Sequence, residues 1–256
     1  EAGALVRSCY QAWHKSGDAH GALTVQLKDG DEPVTEADKA ASALIVARLR
    51  AAFPDDVILS EEAPDDGARH RGGRLWVVDP IDGTKDFIAG RPGFSVMIGL
   101  LIEGQPALGV VYQPLRQILG QPADRLWKGV RGHGAYEVLG DERRRLSVST
   151  IADLTQVRMV SSASHKEDTV AQLREAAGIR DELNIGSVGI KLGLIAAGER
   201  DLYVNPNSKV KLWDTCAPEV LLHEAGGLLT DCHGDALCYT EALGHALART
   251  RPAVAV

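Results

Sequence analysis

One segment restricts this chain more than any other. Leu75-Trp76-Val77-Val78 is an apolar strand, and it runs directly into Asp79-Pro80-Ile81-Asp82-Gly83-Thr84. The chain must therefore build a sheet with a carboxylate on the rigid frame of a strand end, and Pro80 sets the direction in which the backbone leaves. Gly83 permits a tight turn, so that Asp79, Asp82 and the Ile81 carbonyl between them converge on one point. Thr84 then opens a helix, presenting backbone amides and a hydroxyl to an anion.

Carboxylates this close repel, and they share a site only when a cation neutralises them. A ligand set of oxygen atoms without His or Cys selects a hard cation, Mg²⁺ before Zn²⁺. Carboxylate-bound Mg²⁺ commonly also holds a substrate phosphate, so the natural chemistry is attack of an activated water on phosphorus. Two or more cations about 3.5–4 Å apart can position the attacking oxygen and stabilise the leaving one together.

Further acids stand where a core-building sequence would not put them. Glu61 and Glu62 follow a strand at Val57–Ser60, Asp214 lies between Trp213 and an otherwise apolar helix, and Asp38 is early in its helix. Singly, each has a plainer reading. Asp214 can be an N-cap, Thr35 with Asp38 a capping pair, and Glu61-Glu62 solvated loop residues.

Leu5, Cys9 and Trp13 recur at four-residue steps and predict an amphipathic helix over 2–16. Gly17 to Gly30 reads as a loop or hairpin, and a second helix runs from the Thr35 cap to about Phe53. Strands are expected at Val57–Leu59, Leu75–Val78, Phe94–Ile102 and Ala107–Tyr112, and a hairpin over Arg125–Tyr136. From about residue 150 the texture changes to alternating strands (Val157–Ser161, Leu183–Ile185, Leu202–Val204, Gly227–Thr230) and helices (Glu167–Ala177, Val188–Ala197, Thr215–Ala225, Glu241–Arg249). This order predicts an α/β chain of layered sheets with helices packed on them. The charged run Asp141–Arg145 marks a joint between an N-terminal α+β part, 1–150, with most of the metal ligands, and a C-terminal α/β part, 151–256, with Asp214 and the residues of substrate choice.

The 35 acidic residues against 28 basic ones give a net charge of −7. That balance argues against a nucleic-acid polymer as partner but not against a small anion beside a metal. Apolar runs such as Val96–Ile102 fall far short of the roughly 20 residues that cross a bilayer. Cys9, Cys216, Cys232 and Cys238 form no CxxC pair, which suggests buried thiols in a reducing compartment and a cytoplasmic location. Cys232, His233, Cys238 and His245 fit no zinc spacing.

Asp79-Pro80-Ile81-Asp82-Gly83-Thr84-Lys85-Asp86-Phe87 closely resembles the metal-binding signature of the inositol monophosphatase superfamily. Trp213-Asp214-Thr215-Cys216-Ala217-Pro218, with Glu224-Ala225-Gly226-Gly227 after it, resembles a second element. Val34-Thr35-Glu36-Ala37-Asp38 and Ser60-Glu61-Glu62 match two upstream elements in the right order. The resemblance implies a layered α-β-α-β-α sugar-phosphatase sandwich. It also implies a cluster of roughly two or three Mg²⁺ ions on Glu61, Asp79, the Ile81 carbonyl, Asp82 and Asp214. Asp38 and Thr84 are then the pair that orients the attacking water, with Glu61 helping.

Ser162-Ala163-Ser164-His165 and Gly186-Ser187-Val188-Gly189-Ile190-Lys191 resemble elements of the 3'(2'),5'-bisphosphate nucleotidase (CysQ-type) branch. They imply substrate contacts at Ser164, His165, Ser187 and Lys191, beside Asp82, Gly83, Thr84 and Asp214, with Lys191 as a charge for a second phosphate. The implied activity is removal of the 3'-phosphate of adenosine 3',5'-bisphosphate, by a monomer or homodimer. An inositol-1-phosphatase or a fructose-1,6-bisphosphatase is the nearest alternative. A phospho-aspartate mechanism of the haloacid-dehalogenase type needs Asp-x-Asp, which Asp79 and Asp82 do not form. A divalent-cation-binding protein without catalysis would leave Thr84 and Asp38 no reason to face the metals.

Overall fold

The computed structural model describes residues 1–15, 25–27, 33–118, 121–162, 168–206, 210–231, 233–239 and 253–255. Helix α1 (Ala2–Lys15) comes first, and β1 (Val25–Leu27) pairs antiparallel with β2 (Pro33–Thr35). Thr35 then starts α2 (Glu36–Ala52) through a capping box: its hydroxyl accepts from the Ala37 and Asp38 amides, and the Asp38 side chain accepts from the Thr35 amide.

The next elements are β3 (Val57–Ser60), β4 (Arg74–Asp82), the short helix α3 (Thr84–Ile88), β5 (Ser95–Ile102), β6 (Gln105–Ile118), β7 (Gln121–Val130), β8 (Gly134–Leu139) and β9 (Glu142–Arg145). The strands lie in sequence order in one seven-stranded sheet. Within this sheet, among the described residues, only the β3–β4 pair is parallel. The apolar run of β5 sorts by parity. Val96 and Ile98 join Val6, Ala37, Ala41 and Ile45 in one core, whereas Met97 and Leu101 join Ile190, Leu192, Cys216 and Leu221 in another. A strand covered on both faces has no polar side to show, which explains the lack of alternation.

A second, five-stranded sheet follows from β10 (Arg158–Ser162), β11 (Asp181–Ile185), β12 (Leu202–Asn205), β13 (Leu229–Asp231) and β14 (Ala253–Ala255), in the order β11-β10-β12-β14-β13. Helices α5 (Val188–Ala196) and α6 (Leu212–Glu224) lie between the two sheets, and α4 (Asp168–Ala176) covers the outer face, where Val170 meets Val157, Met159 and Ile179. The layers are therefore α-β-α-β-α, as expected.

Helix α6 lies unusually close to the first sheet. Gly99, Gly109, Gly129 and Ala135 are register partners on four successive strands and form a row of small residues. A Cβ at Gly99 would fall 2.5 Å from Cys216 Sγ, and one at Gly109 only 2.0 Å from the Ala217 carbonyl oxygen. The row lets the α6 backbone rest on the sheet backbone and so fixes where its first turn, with Asp214, is carried.

Several expectations are corrected. β4 does not end at Asp79-Pro80 but continues to Asp82 across an irregular register. Within the charged run Asp141–Arg145, Glu142–Arg145 pairs with β8 as an exposed edge strand, where charge guards against further pairing. Helix α6 begins at Leu212, ahead of the expected Thr215, with Lys211 rather than Asp214 as N-cap. The expected helix at Glu241–Arg249, together with Cys232 and His245, lies outside the described residues. So does most of Gly17–Gly30. Cys216 is buried and Cys9 half-buried, both as free thiols, and Cys238 is half-buried. Among the described residues no helix is long and apolar enough to cross a membrane.

Candidate active site

Asp79 and Asp82 converge because β4 carries a bulge. Asp79 pairs with Met97 and Asp82 with Ser95, so three steps on β4 face two on β5. Residues three apart on a regular strand point to opposite faces, and one extra residue lets both carboxylates turn to the same point. Pro80 sits inside the bulge, where its missing amide costs no ladder bond. Gly83 leaves the strand at φ +91° and has no room for a side chain: a Cβ would lie 2.7 Å from the Gly93 carbonyl oxygen. From across the core, α6 adds Asp214. Oxygen atoms of Asp79, Asp82 and Asp214 all lie within 4.8 Å of one another.

Asp79 is 2% exposed, and its Oδ1 is buried with no hydrogen-bond partner among the described residues. Burial raises its pKa well above the ordinary carboxylate range, and repulsion from Glu61, Asp82 and Asp214 adds to this. Glu61, half-buried just after β3, hydrogen-bonds the Asp79 side chain. Burial also raises Asp82, against donation from Ser187 and Gly189 and the Lys191 charge. An orphaned oxygen at the centre of a buried, all-oxygen acid cluster fits a hard divalent cation.

Beside the cluster, Thr84 Oγ1 lies 3.2 Å from Asp38 Oδ1 and 3.0 Å from the Ile81 carbonyl oxygen. Asp38 is 1% exposed, and its Oδ2 accepts from the Thr35 amide at 2.8 Å and the Thr35 hydroxyl at 2.5 Å. Burial pushes its pKa up to about 6, partly offset by Thr35, and the Glu62 charge raises it further. The capping pair and the site pair thus share Asp38: one of its oxygens caps α2 while the other faces Thr84. Asp214 is similarly double, since its Oδ2 accepts from the Lys211 amide at 2.7 Å.

The elements expected to face substrate divide. Ser164 and His165 lie outside the described residues. Ser187 is fully buried as the N-cap of α5, with its hydroxyl given to Asp82 Oδ2 at 2.5 Å and Ser95 Oγ at 2.9 Å from it. Lys191 is fully buried as well. Its Nζ donates to Ser162 Oγ at 3.0 Å and to the carbonyls of Ile185 and Gly186 at 3.3 and 3.1 Å, and it lies 4.9 Å from the centre of the Tyr203 ring. Desolvation lowers its pKa to about 8. In this placement the Lys191 ammonium donates into the protein interior. Ser95 and the Gly189 amide hold this arrangement through tertiary contacts, for which the sequence carries no local signal.

Hydrolysis of a phosphate ester is what a dense all-oxygen acid site beside a hydroxyl–carboxylate pair is suited to, and in this sandwich the class is that of metal-dependent phosphatases. The chain belongs to the inositol monophosphatase family, whose description matches residues 1–255. It is a phosphoric monoester hydrolase. Over 240 residues it is 36% identical to the 3'(2'),5'-bisphosphate nucleotidase CysQ of Salmonella typhimurium, covering 92% of this chain and 91% of that protein. Over 216 residues it is 35% identical to a histidinol-phosphatase of Mycobacterium tuberculosis, covering 83% and 79%. An IMPase of Thermotoga maritima superposes with a TM-score of 0.77 at 28% identity, over 99% of this chain and 87% of that one.

Proposed function

We propose that this phosphatase removes the 3'-phosphate of adenosine 3',5'-bisphosphate. The observation that carries the reading is the likeness to the Salmonella nucleotidase, which runs through 92% of the chain. In this reading Glu61, Asp79, the Ile81 carbonyl, Asp82 and Asp214 hold Mg²⁺; the orphaned Asp79 Oδ1 supports it. Bound Mg²⁺ supplies positive charge for the phosphoryl oxygens and lowers the pKa of water. The Thr84 hydroxyl accepts a hydrogen bond from the attacking water while donating its own proton to Asp38 Oδ1, which orients the water. Asp82, Gly83, Thr84 and Asp214 border the substrate.

A panel of phosphate esters tests the substrate: adenosine 3',5'-bisphosphate, inositol 1-phosphate, fructose 1,6-bisphosphate and histidinol phosphate, each with a Mg²⁺ titration. The highest kcat/KM is expected for the bisphosphonucleoside. The histidinol-phosphatase likeness at 35% identity makes histidinol phosphate the second reading, and a preference for it overturns the first. Asp79→Asn is expected to abolish turnover and Mg²⁺ binding while the fold survives, and near-normal activity in it would sink the metal assignment.

A further inference from the structure

Asp82 is oriented by a turn that it does not itself shape. Its Oδ2 accepts from Ser187 Oγ at 2.5 Å and the Gly189 amide at 2.8 Å, so its direction depends on where residues 186–189 sit. Asp86, on α3, holds that turn. Its Oδ2 accepts from the Gly186 amide at 2.9 Å, and its Oδ1 from Arg91 Nε at 2.8 Å and Nη2 at 2.5 Å. The Asp86 side chain is 3% exposed, so that negative charge is retained by the guanidinium and not by water.

The glycines around it show how closely the segments meet. A Cβ at Gly93 would lie 2.0 Å from Asp86 Oδ2, and one at Gly186 would lie 2.7 Å from the same oxygen. The Ser187 amide donates to the Gly93 carbonyl at 2.9 Å. Segments 82–86, 91–95 and 185–189, which come from both sheets' connections, therefore join through backbone at one knot, with the Asp86 carboxylate inside it. Asp86 lies outside the cluster of Asp79, Asp82 and Asp214, and the catalytic reading gives it no task.

We infer that Asp86, clamped by Arg91, is a positioning residue: by taking the Gly186 amide it sets the turn whose Ser187 and Gly189 donors aim Asp82 at the cation. The inference rests on the metal reading above. Partners that orient a ligand from behind are typically worth about 10–100-fold in metal affinity or activity.

The test strips the full chain with EDTA and reads Mg²⁺ affinity from the Mg²⁺-dependent rise in melting temperature, alongside kcat and KM. Asp86→Leu offers no acceptor to Gly186 and is expected to weaken Mg²⁺ binding about 10–100-fold. Asp86→Asn, which keeps an acceptor, recovers most of that loss. Ser187→Ala shares the loss, and adding it to Asp86→Leu makes little difference because both act along one path. Wild-type Mg²⁺ affinity in Asp86→Leu, even with a lower melting temperature in EDTA, overturns the inference and leaves Asp86 purely structural. Should Asp86→Leu not fold, Arg91→Gln on the exposed arm is expected to weaken Mg²⁺ binding several-fold, roughly what a largely exposed ion pair is worth, and no change in it overturns the inference equally. Asp82→Asn separates the two ideas. If it binds Mg²⁺ normally the metal reading falls and takes this one with it; if it alone loses Mg²⁺, only the positioning role falls.

Discussion

Thr84 has one hydroxyl proton and two acceptors in reach, Asp38 Oδ1 and the Ile81 carbonyl. When that carbonyl faces a cation, Asp38 becomes the acceptor, which orients the Thr84 lone pairs toward water. Thr84→Ala is therefore expected to keep Mg²⁺ and substrate binding and to lose roughly 10²–10⁴-fold in kcat. Asp38→Asn should resemble it, and the double variant should be little worse than either, because the two act as a unit; multiplicative losses in steady-state kinetics would show separate roles. The same carboxylate predicts a pH effect. Asp38 sits near 6 in the folded chain against an ordinary 3.8, so protonation favours the fold. This stabilisation is complete below the ordinary value and disappears as pH rises through about 6. Raised values at Asp79 and Asp82 have the same sign. For metal-free protein, Asp38→Asn should flatten the fall in melting temperature between about pH 4 and pH 7, measured in EDTA.

At the scale of elements, α6 reaches the site only because the sheet beneath it is bare. Gly109 faces the Ala217 carbonyl, a backbone atom that cannot step aside, whereas a Cβ at Gly129 would first meet Leu221 Cδ2 at 3.2 Å, a side-chain end that can. Gly109→Ala is expected to destabilise by about 1–3 kcal/mol and to shift α6 enough to weaken Mg²⁺ binding through Asp214. Gly129→Ala should cost clearly less, and urea denaturation with a Mg²⁺ titration compares them. Equal costs would mean that α6 slides freely over the row. The far end of α6 is tied as well: the Glu224 carboxylate accepts from the Gly132 and Gly134 amides at 2.7 and 2.6 Å, bracing the β7–β8 turn.

Across the whole molecule the first sheet is tied to the α5–β12 connection by a charge network with a buried centre. Arg125 of β7, 1% exposed, donates through Nε to Glu137 of β8 and through its terminal nitrogens to Glu199 beyond α5, while lying 4.3 Å over the Trp127 ring. Arg144 reaches Glu137 at 2.8 Å. Such a network is costly to break on one side, since the remaining charge stays buried. Glu137→Leu is expected to destabilise by about 3–5 kcal/mol, and Arg125→Met combined with it by less than the sum of the singles. Additive losses in urea denaturation would show that the pair is not coupled.

What the sequence determined by itself was local. The Thr35 cap, the strand before Asp79, the Gly83 turn and the order of helices after residue 150 follow from side-chain type and neighbour spacing, and they carried the expectation of layered sheets with packed helices and of an acid cluster, while the α-β-α-β-α order came from the family resemblance. The structure alone decided the bulge that turns Asp79 and Asp82 the same way, the edge-strand identity of Glu142–Arg145, the cap at Lys211 and the burial of Ser187 and Lys191. Each depends on which strand or helix lies opposite. A lysine at a helix start looks solvated in sequence; it becomes internal only when Tyr203 and the carbonyls of Ile185 and Gly186 surround it, and those partners are brought near by packing, not by spacing along the chain.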